Sequence, residues 1–440
     1  MITKTENSSF RDPSGFIFYR GEICYRQINP VYKQNYEYFL ESGLYEKLTN
    51  EGLLIAHKTV DANHFPPSSG YRTIRPESIP FVSYPYEWCF SQFKNAALVT
   101  LTILRRALSH DMILKDASAY NIQFYQGQPV LIDTLSFEKY QEGKPWVGYK
   151  QFCENFLGPL ALMSYKDIRL GQMLREYING IPLGLVSSLL PKRTYLNFHL
   201  ATHIHLHARY QKDYAGKATS VSSTKTMSRK SLLGLIDSLE SSIEKMHWKP
   251  RKSEWVNYYS ECSHVPKFLE EKIKLVTNYL DILKPDTVWD FGANTGVFSR
   301  IASDRGINTI SIDIDPDCVE TNYLRTLKNG EKNLLPIWID LNNPSSSIGE
   351  RTMCNAEVVN NWAYGHEGFT RSLRTDGNNL YSYNLRIGIT GPDDEKIVFD
   401  FSSGGGKFMS QTTSTHVGLA RRHADTIHRG DSPIAEAMSK

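Results

Sequence analysis

The sequence lacks the features that mark membrane-spanning, secreted or metal-binding proteins. No stretch approaches the roughly 20 apolar residues that a membrane-spanning helix needs. The polar first residues, MITKTENSSFRDPSG, have no apolar core of the kind that a secretory signal carries. The 6 cysteines are scattered and include no C-x-x-C pair, so neither a zinc site nor a redox motif is indicated. We therefore expect a cytoplasmic protein with reduced thiols and no membrane partner.

An excess of charge of one sign is also missing. The chain of 440 residues carries 50 Lys and Arg against 47 Asp and Glu, which gives a formal net charge of +3. Because nucleic-acid-binding proteins usually show a basic excess, no nucleic-acid partner is indicated. The hydrophobic content of 40% is enough for packed cores. The length suggests roughly two to four domains.

A stretch with few large apolar residues divides the chain. Residues 211–231, QKDYAGKATSVSSTKTMSRKS, have the composition of a flexible linker. Residues 1–210 predict an α+β domain, in which GFIFYR, EICYRQI and IPFVSYPYEW have the patterns of strands. The run FSQFKNAALVTLTILRRALSH has apolar residues at helical spacing and predicts a long helix.

The rest of the chain changes character once more. Residues 232–349 alternate strand and helix patterns, which predicts an α/β domain with a parallel sheet flanked by helices. After Gly349 this alternation stops. Residues 350–440 predict a small β-rich module, with a hairpin turn at GPDDE.

The strongest local pattern is TVWDFGANTGVFSRIA. A hydrophobic strand ends at Asp290, and a loop containing Gly292, Asn294 and Gly296 leads into a helix. Glycine lets the backbone approach a ligand closely and adopt a positive φ. The first turn of the helix offers unpaired N–H groups. This arrangement is typical of a ligand-binding loop.

Two later strands of the same domain each end in an acid, TISID at Asp313 and LPIWID at Asp340. A carboxylate at the first position can accept hydrogen bonds from ribose hydroxyls, and one at the second can meet an adenine ring. The loop lacks G-x-G-x-x-G spacing, so NAD is a poorer fit. The alternative is an ordinary α/β turn with glycines that serve packing.

The run D-x-G-A-N-T-G with its two following acids resembles the class I S-adenosylmethionine-dependent methyltransferases. The resemblance implies a Rossmann-like fold with S-adenosylmethionine as cofactor. It implies the loop role for Asp290, Gly292, Asn294 and Gly296, the ribose role for Asp313 and the adenine role for Asp340.

A second group of polar residues lies in LKDASAYNIQFYQGQPVLIDTLSFE. Asp116, Asn121 and Asp133 match the base and the two magnesium ligands that phosphotransferases need. The segment resembles the catalytic loop of protein-kinase-like and aminoglycoside-phosphotransferase-like folds. It departs from them because no glycine-rich loop, H-R-D or D-F-G is present, and because Arg26 stands where a strand-borne lysine is expected. We expect a degenerate kinase-like module. The alternatives are an active phosphotransferase, or polar residues of surface loops that have no functional role.

The two parts in combination resemble one bacterial family of class I methyltransferases, some of whose members are labelled nodulation-related. The motifs that carry this resemblance are FRDPSGFIFYR, SYPYEW, LKDASAYNIQF, IDTLSFE, HIHLHAR and VWDFGANTG. They lie within residues 1–348. The resemblance implies methyl transfer to an acceptor that the sequence does not identify, and it leaves the oligomeric state open.

The resemblance stops after Gly349, where the family pattern continues with a strand of the A-L-A-L-x-H-H kind that is missing here. Later strands build the second wall of such a site. Their loss is expected to expose a sheet edge and puts catalytic activity in question. A kinase-like phosphotransferase and a non-catalytic binding or scaffold protein are the alternative functions. No metal site is predicted, because HIHLH, residues 203–207, has a helical pattern that separates its histidines.

Overall fold

The computed structural model describes two compact units, Met1–Gly349 and Glu350–Lys440. The residues whose structure is described are 3–5, 12–60, 70–215, 226–249, 253, 255–256, 258, 265–342, 355–369, 373–404 and 407–438. Among the described helices, none combines the length and the apolarity needed to cross a bilayer. The predicted mixed α/β class is confirmed.

The first unit opens with a five-stranded sheet whose strand pairs are all antiparallel. Its strands are β1 (Thr3–Thr5), β2 (Gly15–Arg20), β3 (Ile23–Ile28), β4 (His57–Val60) and β5 (Arg72–Pro76). They lie in the order β1-β2-β3-β5-β4. Gly21 adopts a φ of 61° in the tight turn that joins β2 to β3, a conformation that glycine tolerates without strain.

The prediction that IPFVSYPYEW forms a strand is wrong. This segment lies in irregular structure that ends in the 3-10 turn Pro85–Glu87. Pro80 and Pro85 have no N–H to donate to a ladder, so the segment cannot pair along its length. The sheet takes its remaining strand from Arg72–Pro76 instead.

We call the part of the first unit that precedes the parallel sheet, up to Glu244, the first block. A long helix organises most of this block. Its buried face, which includes Phe93, Leu101 and Leu104, follows the apolar spacing of the sequence. The helices are α1 (Lys33–Glu41), α2 (Leu44–Asn50), the long α3 (Phe90–Leu108), α4 (Tyr149–Phe152), α5 (Gly158–Tyr165), α6 (Leu183–Leu189), α7 (Phe198–Leu200), α8 (His207–Ala215) and α9 (Arg229–Glu244). The paired strands are β6 (Met112–Leu114) with β9 (Phe137–Lys139), and β7 (Ile122–Tyr125) with β8 (Gln128–Leu131).

Residues at both ends of the predicted linker, 211–231, lie in helices. Helix α8 continues to Ala215, and α9 begins at Arg229. The side chain of Ser228 accepts a hydrogen bond from the Ser231 N–H and caps α9. Residues 216–225 lie outside the described structure.

The alternating part of the sequence forms the predicted parallel sheet. Its strands are β10 (Thr287–Phe291), β11 (Asn308–Asp313) and β12 (Leu334–Trp338), and its helices are α10 (Val265–Leu283), α11 (Val297–Ser303) and α12 (Pro316–Asn329). The order is β10-β11-β12, with both pairs parallel. Among the described strands, β10 lies at one edge of this sheet, and Trp289 and Phe291 on it are more than half exposed.

Helix α3 joins the parallel sheet to the first block. The Gln92 side-chain amide donates to the Pro336 carbonyl at 2.8 Å, and the Ser91 N–H donates to Glu320 at 3.0 Å. The Asn95 amide donates to the Tyr323 hydroxyl at 3.0 Å. Tyr323 is buried in the same apolar core as α3. The two blocks thus share one core within the first unit.

The described residues of the second unit form a six-stranded sheet and three α-helices. Its strands follow chain order, antiparallel from β13 to β17 with a final parallel pair, β17 and β18. The predicted GPDDE turn joins β16 to β17, where the Gly391 N–H donates to the Glu395 carbonyl at 2.8 Å. The elements are α13 (Asn355–Ala363), β13 (Glu367–Phe369), β14 (Leu373–Asp376), β15 (Asn379–Ser382), β16 (Leu385–Thr390), β17 (Lys396–Asp400), α14 (Gln411–Ala420), β18 (Thr426–Arg429) and α15 (Pro433–Met438).

Candidate cofactor site

The loop after β10 has the backbone shape that its sequence predicts. Gly292, Asn294 and Gly296 all adopt positive φ, at 71°, 53° and 75°. The N–H groups of Gly292 and Ala293 both donate to the Ile312 carbonyl, at 2.9 and 3.0 Å, which ties the loop to β11. A side chain at Gly292 would meet no atom within 4 Å, so this face of the loop is open.

Asp313, at the end of β11, lies against this loop. One carboxylate oxygen accepts the Asn294 N–H at 2.7 Å, and the other accepts the Asp315 N–H at 2.8 Å. A carboxylate offers about four acceptor positions, so both oxygens can still accept further hydrogen bonds. The Asn294 side-chain amide donates to the Trp255 carbonyl at 2.6 Å, so this side chain braces the loop.

Asp290 lies on β10 beside Ser311 of β11, so its side chain is on the same face of the sheet as that of Asp313. Its carboxylate accepts the Ser299 hydroxyl at 2.6 Å and lines a cavity of about 230 Å³ with residues of α10 and α11. Burial raises the pKa of the Asp290 carboxyl above its ordinary value, and the Ser299 hydrogen bond opposes this rise. Asp290 is thereby hydrogen-bonded to α11, the helix that follows the loop.

Asp340, two residues beyond β12, lies at the mouth of a larger cleft. The cleft has a volume of about 780 Å³, within the range of small-molecule sites. The parallel sheet contributes Ile314, Asp315, Trp338 and Asp340 to its lining. The Trp338 indole donates to the Ile314 carbonyl at 2.8 Å and fixes the chain where it leaves β11. The side chain of Ile314 is left largely exposed beside Asp313.

The opposite wall of this cleft belongs to the first block and to the chain after α9. The residues there include apolar, aromatic and basic side chains, namely Met163, Tyr165, Lys166, Ile168, Arg169, His247, Trp248 and Lys249. No motif in the sequence indicates these residues, because they meet the sheet only through the fold.

A buried arginine beneath the loop is likewise indicated by no motif in the sequence. One terminal nitrogen of Arg300 donates to the carbonyls of Thr295 and Gly296 at 2.9 and 3.0 Å and to the Asn322 side chain at 2.8 Å. The Arg300 Nε donates to Glu331 at 2.9 Å. A Cβ at Gly296 would lie 2.5 Å from Asn322 and 2.6 Å from Arg300, so only glycine fits there. Arg300 thus fixes the carbonyls of the loop.

The residues predicted to form a kinase-like site lie close together. Their carboxylates already accept hydrogen bonds from other residues of the chain. The Arg26 guanidinium lies 2.6 Å from one oxygen of Asp133, which also accepts the Leu135 N–H at 2.9 Å. The other oxygen accepts the Ser136 hydroxyl at 2.6 Å. The guanidinium therefore lies against the carboxylate that would bind magnesium in a kinase.

Asp116 and Asn121 complete this group. Asp116 accepts the Ser118 N–H at 3.0 Å and the Gln151 side chain at 2.8 Å. Burial, and then the neighbouring charge of Asp133, raise the pKa of Asp116 above its ordinary value. The Asn121 amide lies 3.5 Å from the Ser136 hydroxyl. Within the described residues, no group of three or more His, Cys, Asp or Glu side chains could hold a metal ion.

We expect ATP with magnesium to change the melting temperature of the protein by less than about 1 °C, because the stabilisation by a ligand requires binding to the folded state. The measurement is thermal unfolding with and without the nucleotide. Asp133→Ala serves as the comparison. A nucleotide-dependent rise in the wild type that this variant loses would contradict the expectation and support a phosphotransferase.

The three histidines of HIHLH lie in a helical segment, as predicted. Residues Ala201–Leu206 form a π-helical stretch between α7 and α8. His203 is hydrogen-bonded to Tyr149 and Ser238, both at 2.8 Å, and His205 to Ser187 at 2.7 Å and Thr194 at 2.9 Å. Both ring nitrogens of these two histidines therefore have hydroxyl partners.

The first unit as a whole is an α/β protein with a glycine-bearing loop and two acids at the carboxyl edge of a parallel sheet. No protein-family model matches the chain. It is 31% identical over 349 residues to the nodulation protein NoeA of Rhizobium meliloti (strain 1021), covering 78% of this chain and 72% of that protein. The chain belongs to the family of NoeA.

The solved structures that are similar to this chain include that of vaccinia related kinase 3. The alignment has a TM-score of 0.28 and 12% sequence identity, and it covers 55% of this chain and 86% of the kinase. A TM-score of this size does not establish a shared fold, so the kinase-like character of the first block stays a prediction from the sequence.

Proposed function

We propose that the first unit binds S-adenosylmethionine at the loop after β10 and directs its methyl group to an acceptor. The observation that carries this proposal is Asp313, whose carboxylate is held by the loop N–H of Asn294 beneath the open face of Gly292. A glycine loop and an acid at the carboxyl edge of a parallel sheet form the crevice in which such folds bind nucleoside ligands.

The residues present fit this cofactor. Asp313 would accept hydrogen bonds from the ribose hydroxyls, since its oxygens keep acceptor capacity. Ile314 offers an exposed apolar surface to a planar base, and Asp340 lines the same cleft. Gly292 and Asn294 would lie against the amino-acid part of the cofactor. When bound, the cofactor supplies a methyl group activated by its sulfonium.

The contribution of the protein to methyl transfer would be positioning. Displacement at a methyl carbon depends on holding donor and acceptor in line, and proximity and orientation can supply much of the rate. Arg300, bonded to the carbonyls of Thr295 and Gly296, would keep the loop rigid for this purpose. The acceptor is not identified, because among the described residues no further strand joins the parallel sheet after β12 to face it.

We expect Gly292→Val to lower the affinity for S-adenosylmethionine at least about 100-fold, or about 2.7 kcal/mol of binding free energy. The valine side chain would project into the open face of the loop, where the ligand is proposed to lie. The measurement is isothermal titration calorimetry of the full chain with S-adenosylmethionine.

Gly306→Val is the matched control for this variant. Gly306 also has a positive φ, 81°, and a Cβ added there would meet no atom within 4 Å, but it lies in the turn after α11 and away from the site. Both variants should lose about 1–2 kcal/mol of stability from backbone strain. Absence of binding heat in folded wild-type protein, or equal loss of affinity in both variants, would refute the proposed site.

A further inference from the structure

A patch of exposed aromatic and aliphatic side chains lies around the start of α7. The side chain of Leu196 is 90% exposed, that of Phe198 74% and that of Tyr195 55%. The ring of Tyr195 stacks on His205 with centroids 3.7 Å apart, which fixes the loop before α7 against the helical segment. Bulky apolar side chains this exposed are unusual on a surface that faces only water, and clusters of them mark interaction sites.

The continuous helix that includes α7 and α8 extends this patch along one of its faces. Phe198, Leu206 and Tyr210 are separated by multiples of four positions in a continuous helix formed by α7, the π-helical stretch and α8. Leu206 and Tyr210 are about half exposed. We define the patch by Tyr195, Leu196, Phe198, Leu206 and Tyr210.

The Lys, Arg, Asp and Glu residues within the segment from Lys192 to Tyr210 are all basic. Lys192, Arg193 and Arg209 are exposed beside it. The sequence contains no Asp or Glu between Glu176 and Asp213. The nearest acids on α9, Asp237 and Glu240, are paired with Arg105. A surface with exposed basic and aromatic side chains complements an anionic partner.

We propose that this patch docks on an anionic phospholipid surface. Apolar and aromatic side chains that enter the interface, flanked by basic side chains that meet the headgroups, are the features of peripheral membrane attachment. Leu196 can enter a hydrocarbon region but has nothing to recognise in a nucleic acid. A two-fold contact with a second copy would bring Lys192 and Arg193 close to the same basic residues of the partner copy. The sequence-based expectation of no membrane partner concerned spanning segments, which this mode of attachment does not need.

The test is flotation of the full chain with vesicles of phosphatidylcholine alone or mixed with phosphatidylglycerol. We expect the protein to bind the mixed vesicles and to be released by salt. Lys192→Gln with Arg193→Gln should weaken binding roughly 25-fold, since each basic residue near the surface contributes about fivefold. Leu196→Ser with Phe198→Ser should weaken it at least as much.

Val31→Ser with Lys144→Gln is the control, because it removes one exposed apolar and one exposed basic side chain elsewhere in the first unit. It should bind as the wild type does. Wild-type protein that does not float, or that binds both kinds of vesicle equally, would overturn the proposal. So would dimerisation in sedimentation velocity that Leu196→Ser with Phe198→Ser abolishes, since the patch would then be a contact between copies. S-adenosylmethionine affinity should be unchanged in all these variants, so this test and that of the proposed function fail independently.

Discussion

Replacing Arg300 by methionine is expected to lower the free energy of unfolding of the first unit by about 3–5 kcal/mol. The substitution leaves the Glu331 carboxylate, which is largely buried, without its ion-pair partner. Burial by itself would raise the pKa of Glu331, yet hydrogen bonds from Arg300 and Asn329 hold it below its ordinary value. The variant also removes the donor for the carbonyls of Thr295 and Gly296. The measurement is calorimetric unfolding of the full chain.

Arg305→Met provides the matched control. Arg305 lies just after the same helix but is partly exposed, with its Nε 3.6 Å from the exposed Asp281. An ion pair of this kind contributes at most about 1 kcal/mol. If both variants unfold at similar temperatures, the Arg300 pair is not the buried anchor described here. Arg300→Lys should recover only part of the loss, because an ammonium group cannot reproduce the planar set of donors.

The second large effect is expected for Tyr323→Ala, which should destabilise the first unit by about 3–5 kcal/mol. The side chain of Tyr323, on α12, is buried against α3. Its ring contacts the Phe124 ring edge-on, with the centroids 5.9 Å apart, and its hydroxyl accepts a hydrogen bond from the Asn95 amide. Because this side chain joins the parallel sheet to the first block, both should lose stability together. The measurement is amide hydrogen exchange in α3 and β11, compared with the wild type.

Tyr279→Ala is the control for the loss of a tyrosine, since Tyr279 on α10 is more than half exposed. It should change stability by less than about 0.5 kcal/mol. If Tyr323→Ala raised exchange in β11 and left α3 protected, the two blocks would be separate folding units and the shared core would be of little energetic importance.

The elements that the sequence predicted well are those with a local signal. The strands of the parallel sheet are short apolar runs, and the helices between them carry apolar residues at helical spacing. The positive φ values at Gly292 and Gly296 follow from the residue type, and the acid at Asp313 follows from its place at a strand end. These patterns need only neighbouring residues to be recognised.

The sequence-based predictions fell short where contacts between residues far apart in the chain determine the structure. IPFVSYPYEW has the apolar content of a strand, but its prolines cannot pair and a different segment completes the sheet. The hydrogen bond between the Asp290 carboxylate and the Ser299 hydroxyl, nine residues further along the chain, is likewise indicated by no local pattern.

The sequence by itself determined the parallel strands, the helices between them and the glycine loop of this protein, because hydrophobic periodicity and the freedom of glycine act over a few neighbouring residues. Only the tertiary structure decided that Arg26 pairs with Asp133, that Arg300 anchors the loop, and that residues near Met163 and Trp248 face Asp340 across one cleft. These contacts join residues far apart in the chain. They form because buried charges and polar groups must find partners wherever the packing of the core brings them.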